Sequence, residues 1–111
     1  MSKTLPNYLK TYRRKAGLTQ DDMAFLLGCH SGAKVSRYEH FKARPSLTTA
    51  LAYQTIFRIP AKELFPGIYQ KVENEISERV RLLADILSDI RPTARRVRKL
   101  DSLKQITISK I

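Results

Sequence analysis

Gly28 constrains the fold more than any other residue, because it separates two short helical patterns. The first pattern opens after Thr19 with two carboxylates, which favour the positive end of a helix dipole. Its apolar stripe consists of Met23, Ala24 and Leu27. Gly28 then ends the helix, since glycine takes a positive φ without steric cost. The sequence therefore predicts a short helix followed by a tight turn.

A second short helix is predicted after this turn, from about Gly32 to His40. Ser31 offers a cap at its start, and Val35 and Tyr38 take its inward positions. Basic residues lie between these inward positions. Two short helices joined by a glycine turn, with a basic second helix, are the parts of a DNA-reading helix-turn-helix.

Five sequence pieces extend this pattern on both sides. They read L-K-T-Y-R-R-K-A-G-L-T-Q, M-A-F-L-L-G, K-V-S-R-Y-E, R-P-S-L and I-P-A-K-E-L-F, in that order. Residues 9–65 thereby resemble the lambda-repressor-like (Xre/Cro type) helix-turn-helix domain. The resemblance implies an all-α fold, with a five-helix DNA-binding domain over residues 1–66. It also implies a bacterial or phage regulator of transcription. The apolar spacing of the remaining residues predicts a helical extension over residues 67–111.

Three departures from the family pattern concern the turn and the helix ends. The segment from Gly28 to Glu39 is one residue longer than usual, which leaves the register of the reading positions open. Phe41 and Arg58 stand where the family usually has glycine. Each of these two sites is expected to need an unusual backbone conformation or a different loop shape.

The outward side of the second helix supplies the candidate base-reading residues. Arg37 is the best of them, because its guanidinium can bond guanine O6 and N7 together in the major groove. A phosphate contact or a solvated charge are its alternatives. Lys34 could reach a base or a phosphate, Ala33 could touch a thymine methyl group, and Gly32 permits close approach. The predicted base-reading set is Arg37, Lys34, Ala33, Ser36 and Gly32.

A second set of residues is predicted to bind the DNA backbone. Gln20 matches the family's glutamine at a helix start, where its side chain and the free N–H groups can bind a phosphate. Lys42 and Arg44 follow the second helix and are placed to contact the backbone as the loop leaves the groove. The full set is Gln20, Thr19, Ser31, Arg13, Lys42 and Arg44. For each of them, the alternative is a side chain that only faces water.

Arg13 and Glu39 occupy positions that commonly pair between the first and third helices of the family. The resemblance implies that the pair stabilises the fold and also turns Arg13 toward a phosphate. Two unrelated surface charges are the alternative. We predict a structural pair, because a glutamate amid so much basic surface is a poor DNA contact.

The charge balance agrees with a protein that binds a polyanion. Twenty-one Lys and Arg residues oppose 10 Asp and Glu residues, for a formal net charge of +11. Alone, this balance would also suit a ribosomal or membrane-surface protein. No run of about 18 apolar residues predicts a transmembrane span, and residues 1–15 lack the apolar core of a signal peptide. With a single cysteine, the chain is expected to stay in the reducing cytoplasm.

Cys29 and His30 invite a catalytic or metal-binding interpretation. A nucleophilic cysteine needs a base within hydrogen-bond reach, and adjacent side chains usually diverge. A zinc site needs about four ligands, whereas the chain has one Cys and two His. Burial of Cys29 is the better explanation, since the family has a small apolar residue there. We predict no catalytic site, no metal and no cofactor.

The pattern changes after Pro66-Gly67, which is the natural boundary between the two parts. An a/d-like apolar seam follows at Ile76, Val80, Leu83, Leu87 and Ile90. The seam favours a homodimer, and the alternatives are a protein partner or packing on the first domain. After Pro92 a short basic helix is predicted. Residues 105–111 alternate like a short terminal strand, with Ile106 and Ile108 on one face, unless they fray.

Three functions fit these observations. The first is a sequence-specific regulator of transcription that binds double-stranded DNA, most simply a repressor that binds an inverted-repeat operator as a homodimer. The second is an antitoxin-like protein that binds a partner through residues 68–111 and DNA through its N-terminal domain. The third is a basic RNA-binding or nucleoid-type protein without sequence choice. An enzyme has the least support, because no convergent set of acid, base, nucleophile or metal ligands can be assembled.

Overall fold

The computed structural model describes residues 5–89 and 93–109, and every regular element in these ranges is a helix. The helices are α1 (Leu9–Lys15), α2 (Gln20–Leu27), α3 (Gly32–Glu39), α4 (Leu47–Phe57), α5 (Ala61–Leu64), α6 (Pro66–Ser88) and α7 (Ala94–Ser109). The predicted all-α class, with a helical extension after the first five helices, is therefore confirmed. No helix in the described ranges has the length and apolar character needed to cross a membrane.

The chain divides into two compact units, one up to Tyr69 and the other from Gln70 onward. The sequence suggested a break at Pro66-Gly67, but α6 begins there and continues past the division. Proline suits the first turn of a helix, where its missing N–H leaves no bond unmade. Gly67 lies against the N-terminal segment, because its N–H donates to the carbonyl oxygen of Pro6 at 3.2 Å. A Cβ at position 67 would lie 2.8 Å from the Cα of Pro6, so this approach requires glycine.

The first unit closes around one apolar core to which each of α1–α5 contributes. The predicted inward residues of α2 and α3 are confirmed as buried, namely Met23, Ala24, Val35 and Tyr38. Tyr53 of α4 is fully buried, and its ring centroid lies 5.9 Å from that of Phe57 and 6.4 Å from that of Phe65. Burial raises the pKa of the Tyr53 hydroxyl, which has no hydrogen-bond partner among the described residues.

Each of α1–α4 ends beside a residue in the left-handed backbone conformation. Gly17 and Gly28 have φ angles of 73° and 76°, which glycine adopts without strain. Phe41 and Arg58 have φ angles of 64° and 57°, although both carry a Cβ. The expectation of an unusual backbone conformation at these two sites is therefore confirmed. Such a conformation costs a non-glycine residue roughly 1–2 kcal/mol.

Arg58→Gly should stabilise the first unit by about 0.5–1 kcal/mol, because it removes this strain while adding some freedom to the unfolded chain. Arg58 is exposed and forms no ion pair within the described residues. Urea unfolding followed by circular dichroism measures the change. Arg14→Gly is the matched control, since Arg14 is exposed within α1 and glycine there should destabilise by about 1 kcal/mol. An unchanged or lower midpoint for Arg58→Gly would contradict the strain argument.

The residues of the predicted apolar seam of α6 fall into a buried pair and an exposed pair in the second unit. Val80 and Leu87 are buried, each with 8% of its surface exposed. Ile76 and Leu83 remain 42% and 44% exposed. Ile90, the fifth residue of the seam, lies outside the described residues. Within the second unit, the described residues of the seam therefore differ in exposure.

The buried face of α6 is the one that meets α7. Val80 of α6 and Leu100 and Leu103 of α7 line one groove between the two helices. The strand predicted for residues 105–111 is wrong over residues 105–109, which continue α7. A lone strand has no neighbour to bond, whereas lengthening an existing helix adds one hydrogen bond for each residue.

Candidate nucleic-acid interface

Side chains at the start of α2 fix its first turn and connect it to α3. The Thr19 hydroxyl accepts from the N–H of Asp22 at 3.0 Å, and Asp22 Oδ2 accepts from the N–H of Thr19 at 2.9 Å. These hydrogen bonds with Thr19 hold the pKa of Asp22 below its ordinary value. Asp21 Oδ1 accepts from the N–H of Gly32 at 3.1 Å. Asp22 thus binds within the first turn of α2, whereas Asp21 connects this turn to the first residue of α3.

Gly32, predicted among the base-reading residues as a position that permits close approach, does not lie on the exposed side of α3. It is buried at the first residue of the helix, against the start of α2. A Cβ at this position would lie 2.7 Å from Asp21 Oδ1 and 3.1 Å from the Cβ of Gln20. Gly32 therefore allows α2 and α3 to approach each other, and its assignment as a base-reading residue is corrected.

Arg13 and Glu39, which were predicted to pair, form a largely buried bidentate ion pair. Arg13 Nε donates to Glu39 Oε2 at 2.6 Å, and Arg13 Nη2 donates to Oε1 at 3.1 Å. The third nitrogen, Nη1, donates to the carbonyl oxygen of Leu18 at 2.8 Å. The Glu39 side chain is fully buried, and that of Arg13 is 11% exposed. The hydrogen bonds to Glu39 raise the pKa of Arg13 above its ordinary value.

This arrangement changes two predicted backbone contacts. Each nitrogen of the Arg13 guanidinium has a partner inside the protein, so Arg13 links α1 to α3 and keeps two of its five N–H donors for a phosphate. Gln20 Nε2 donates to Glu39 Oε1 at 3.2 Å. An amide has two N–H donors, so Gln20 keeps one for a phosphate.

Three exposed residues of α3 form what we call the reading face: Ala33, Lys34 and Arg37. Neither Lys34 nor Arg37 forms an ion pair within the part of the chain that the structure describes. Ser36, also predicted to read bases, is half-buried, and its Oγ lies 3.3 Å from Nδ1 of His40. The reading face therefore offers two cations and one methyl group, with Ser36 at its edge.

The other predicted backbone contacts lie at the two ends of α3. Ser31 caps the helix, and its Oγ accepts from the N–H of Ala33 at 3.4 Å, which leaves its O–H free to donate. Lys42 and Arg44 are exposed after the helix and form no ion pair with any described residue. These groups are available to bind phosphates on either side of the reading face.

A sequence model of the family described as a helix-turn-helix domain matches residues 5–64, more than half of the chain. The chain belongs to the helix-turn-helix domain family. This agrees with the resemblance to lambda-repressor-like domains, and it makes DNA binding the function that the family supports. In a helix-turn-helix domain the second helix of the motif, here α3, lies in the major groove. No curated protein and no solved structure matches the chain.

Cys29 lies in the turn between α2 and α3 of the helix-turn-helix domain. Cys29 is half-buried and packs beside the core, close to the predicted burial. Among residues 5–89 and 93–109, no group of three or more His, Cys, Asp or Glu side chains could hold a metal ion. No sequence pattern predicts the contact between Asp21 and Gly32, because the two residues are 11 positions apart along the chain.

Proposed function

We propose that this chain is a sequence-specific regulator of transcription that binds double-stranded DNA. The observation that supports it best is the reading face on α3, whose two cations are exposed and form no ion pair with any residue that the structure describes. On the buried side of the same helix, Glu39 forms an ion pair with Arg13 of α1. This contact holds the orientation of the reading face in the free protein. A rigid helix with free cations suits the major groove, and the net charge of +11 favours the DNA polyanion.

The proposed contacts follow from the chemistry of each side chain. Arg37 bonds guanine O6 and N7, Lys34 binds a neighbouring base or phosphate, and Ala33 touches a thymine methyl group. Phosphate contacts then position the domain without reading sequence. The residues proposed for them are Gln20, Thr19, Ser31, Lys42 and Arg44.

We propose further that the chain acts as a homodimer through the α6 stripe, which we define as Val72, Ile76, Leu83 and Ile86. These four residues are between 42% and 58% exposed. Their spacing of 4, 7 and 3 keeps them on one side of the helix. A two-fold dimer presents α3 twice and so matches an inverted repeat with half-sites about one helical turn apart. Such a dimer in the cytoplasm of a bacterium or an infected cell would repress by covering a promoter.

Leu83→Asp should raise the dissociation constant of this dimer at least about tenfold, because a carboxylate in the apolar contact must lose its water. Sedimentation equilibrium of the full chain measures the constant. The matched control is Val97→Asp, because Val97 is an exposed apolar residue of α7 outside the α6 stripe. A monomeric wild-type chain, or equal effects of both variants, would contradict the proposed dimer surface.

Selection of bound duplexes from a random library tests the proposed function. The affinity of the winning duplex is then compared with that of a scrambled duplex over a range of salt concentrations. A winning inverted repeat bound about a thousandfold more tightly than the scrambled duplex is the expected result. No enriched sequence, with equal affinity for unrelated duplexes, would replace the proposal with nonspecific nucleic-acid binding.

An antitoxin-like protein is the second candidate, and the uncovered α6 stripe is the observation that favours it. A partner protein could cover the stripe in place of a second copy. The exposed cations of α7 would then attract an acidic partner; they include Arg95, Arg98, Lys99 and Lys104. A defined complex with one small protein, lost in Leu83→Asp while DNA selection is unchanged, would support this candidate. A stable dimer of the purified chain alone would count against it.

A further inference from the structure

Phe41 combines a strained backbone with an exposed aromatic ring. Its φ is 64°, in the region that favours glycine, and its side chain is 48% exposed. Exposed residues flank it on both sides, His40 and Lys42. Neither the positive φ of Phe41 nor the exposure of its ring stabilises the folded chain.

The end of α3 explains why the backbone takes this conformation. The N–H of Phe41 donates to the carbonyl oxygen of Tyr38 at 3.2 Å, and the N–H of Lys42 donates to that of Arg37 at 2.9 Å. These two hydrogen bonds close a helix only when the residue after its end is left-handed, which is why glycine usually stands there. Any side chain at position 41 therefore carries the strain, and the structure itself gives phenylalanine no advantage over glycine.

The position of Phe41 relative to the reading face suggests what the ring is for. Phe41 follows Arg37 by four residues, about one helical turn. The bond between the Lys42 N–H and the Arg37 carbonyl keeps the chain close to α3 at this point. Phe41 therefore lies directly after the C-terminal end of the helix that carries Ala33 and Arg37. The apolar group that the major groove presents to such a ring is the C5-methyl of thymine.

We infer that Phe41 contacts a thymine methyl group next to the base read by Arg37 and adds a preference for thymine at that position. The inference rests on the proposed function, since it needs a DNA site that α3 reads. It adds an apolar reader to the cations of the reading face. It also explains a strained residue that stability does not require.

Deoxyuridine substitution tests the contact directly, because uracil differs from thymine only by the methyl group. Each thymine of the selected duplex is replaced singly, and binding of the full chain is measured. The wild type should lose about threefold to tenfold in affinity at the thymine next to the base read by Arg37, as expected for one buried methyl group, in addition to any loss at the thymine proposed for Ala33. Phe41→Gly should bind the parent duplex about tenfold more weakly and should not distinguish thymine from uracil at that position.

Two further variants separate this contact from the backbone conformation. Arg58→Gly changes the other strained residue and should retain the full thymine preference. Phe41→Asn keeps a side chain that tolerates the left-handed conformation and should lose the preference as Phe41→Gly does. Both Phe41 variants should unfold at the wild-type temperature or a few degrees higher, which shows that weaker binding does not come from unfolding.

The outcomes distinguish this inference from the proposed function. A wild-type chain that enriches a sequence but binds every deoxyuridine duplex like its parent overturns the contact and leaves the function standing. The same conclusion follows if Phe41→Gly keeps the wild-type thymine preference, or if the selected site has no thymine beside the guanine. A chain that enriches no sequence overturns the proposed function and this inference together.

Discussion

Replacing Glu39 with alanine should lower the free energy of unfolding of the first unit by about 3–5 kcal/mol, the usual cost of removing one partner of a buried ion pair. The Glu39 side chain is fully buried and accepts two hydrogen bonds from Arg13 and one from Gln20. Alanine would leave the Arg13 guanidinium, only 11% exposed, without its counter-charge. Chemical denaturation of the full chain, followed by circular dichroism, measures the loss.

An exposed glutamate of the same unit provides the matched control. Glu63 lies in α5 with no ion pair among the described residues, so Glu63→Ala should change stability by less than about 0.5 kcal/mol. The double variant of Arg13→Ala with Glu39→Ala should lose less than the sum of the two single losses, because the pair is one interaction. A loss below about 1 kcal/mol for Glu39→Ala would show that the pair does not hold α1 to α3.

Arg37→Ala should weaken binding to the selected duplex by about 1–3 kcal/mol and relax the base preference at one position. Arg37 is exposed on the reading face and has no ion pair within the described residues, so its guanidinium is free to bind guanine. Because the side chain is exposed in the free protein, the substitution should leave the unfolding midpoint nearly unchanged. Affinities for the selected duplex and for single-base variants of it give the measurement.

Lys42→Ala is the control for charge alone. Lys42 follows α3 in the loop and is proposed to contact a phosphate, so its loss should weaken all duplexes similarly and reduce the salt slope by about one. If Arg37→Ala weakens selected and random duplexes by the same factor, Arg37 does not read a base. The reading would then have to come from Lys34 or from the shape of the DNA.

Local rules were enough to predict the helices that present the interface. The apolar spacing of Val35 and Tyr38, the cap at Ser31 and the glycine at position 28 all act within one or two turns, and the structure confirms each of them. The positive φ at Phe41 followed from comparing this sequence with the family pattern. The residues near a helix end carry enough information to predict how the helix ends.

Contacts between residues distant in sequence explain where the predictions were wrong. Arg13 and Glu39 are 26 residues apart, and only the packed structure shows that the guanidinium makes three hydrogen bonds inside the protein. Gly32 and Asp21 are 11 residues apart, and their hydrogen bond holds the buried glycine against the start of α2. Along the α6 seam, Val80 lines the groove with α7 and is buried, whereas Leu83 is exposed, a difference that the spacing of the apolar residues did not predict.

Buried and exposed residues are interspersed along the eight residues of α3. Gly32, Val35, Tyr38 and Glu39 hold the helix in the core, whereas Ala33, Lys34 and Arg37 only face outward. Since the two sets share no residue, exchange of the outward three leaves the anchoring contacts intact. Descendants of this chain, or variants built in the laboratory, can therefore acquire a different preferred target through a few substitutions while keeping their scaffold.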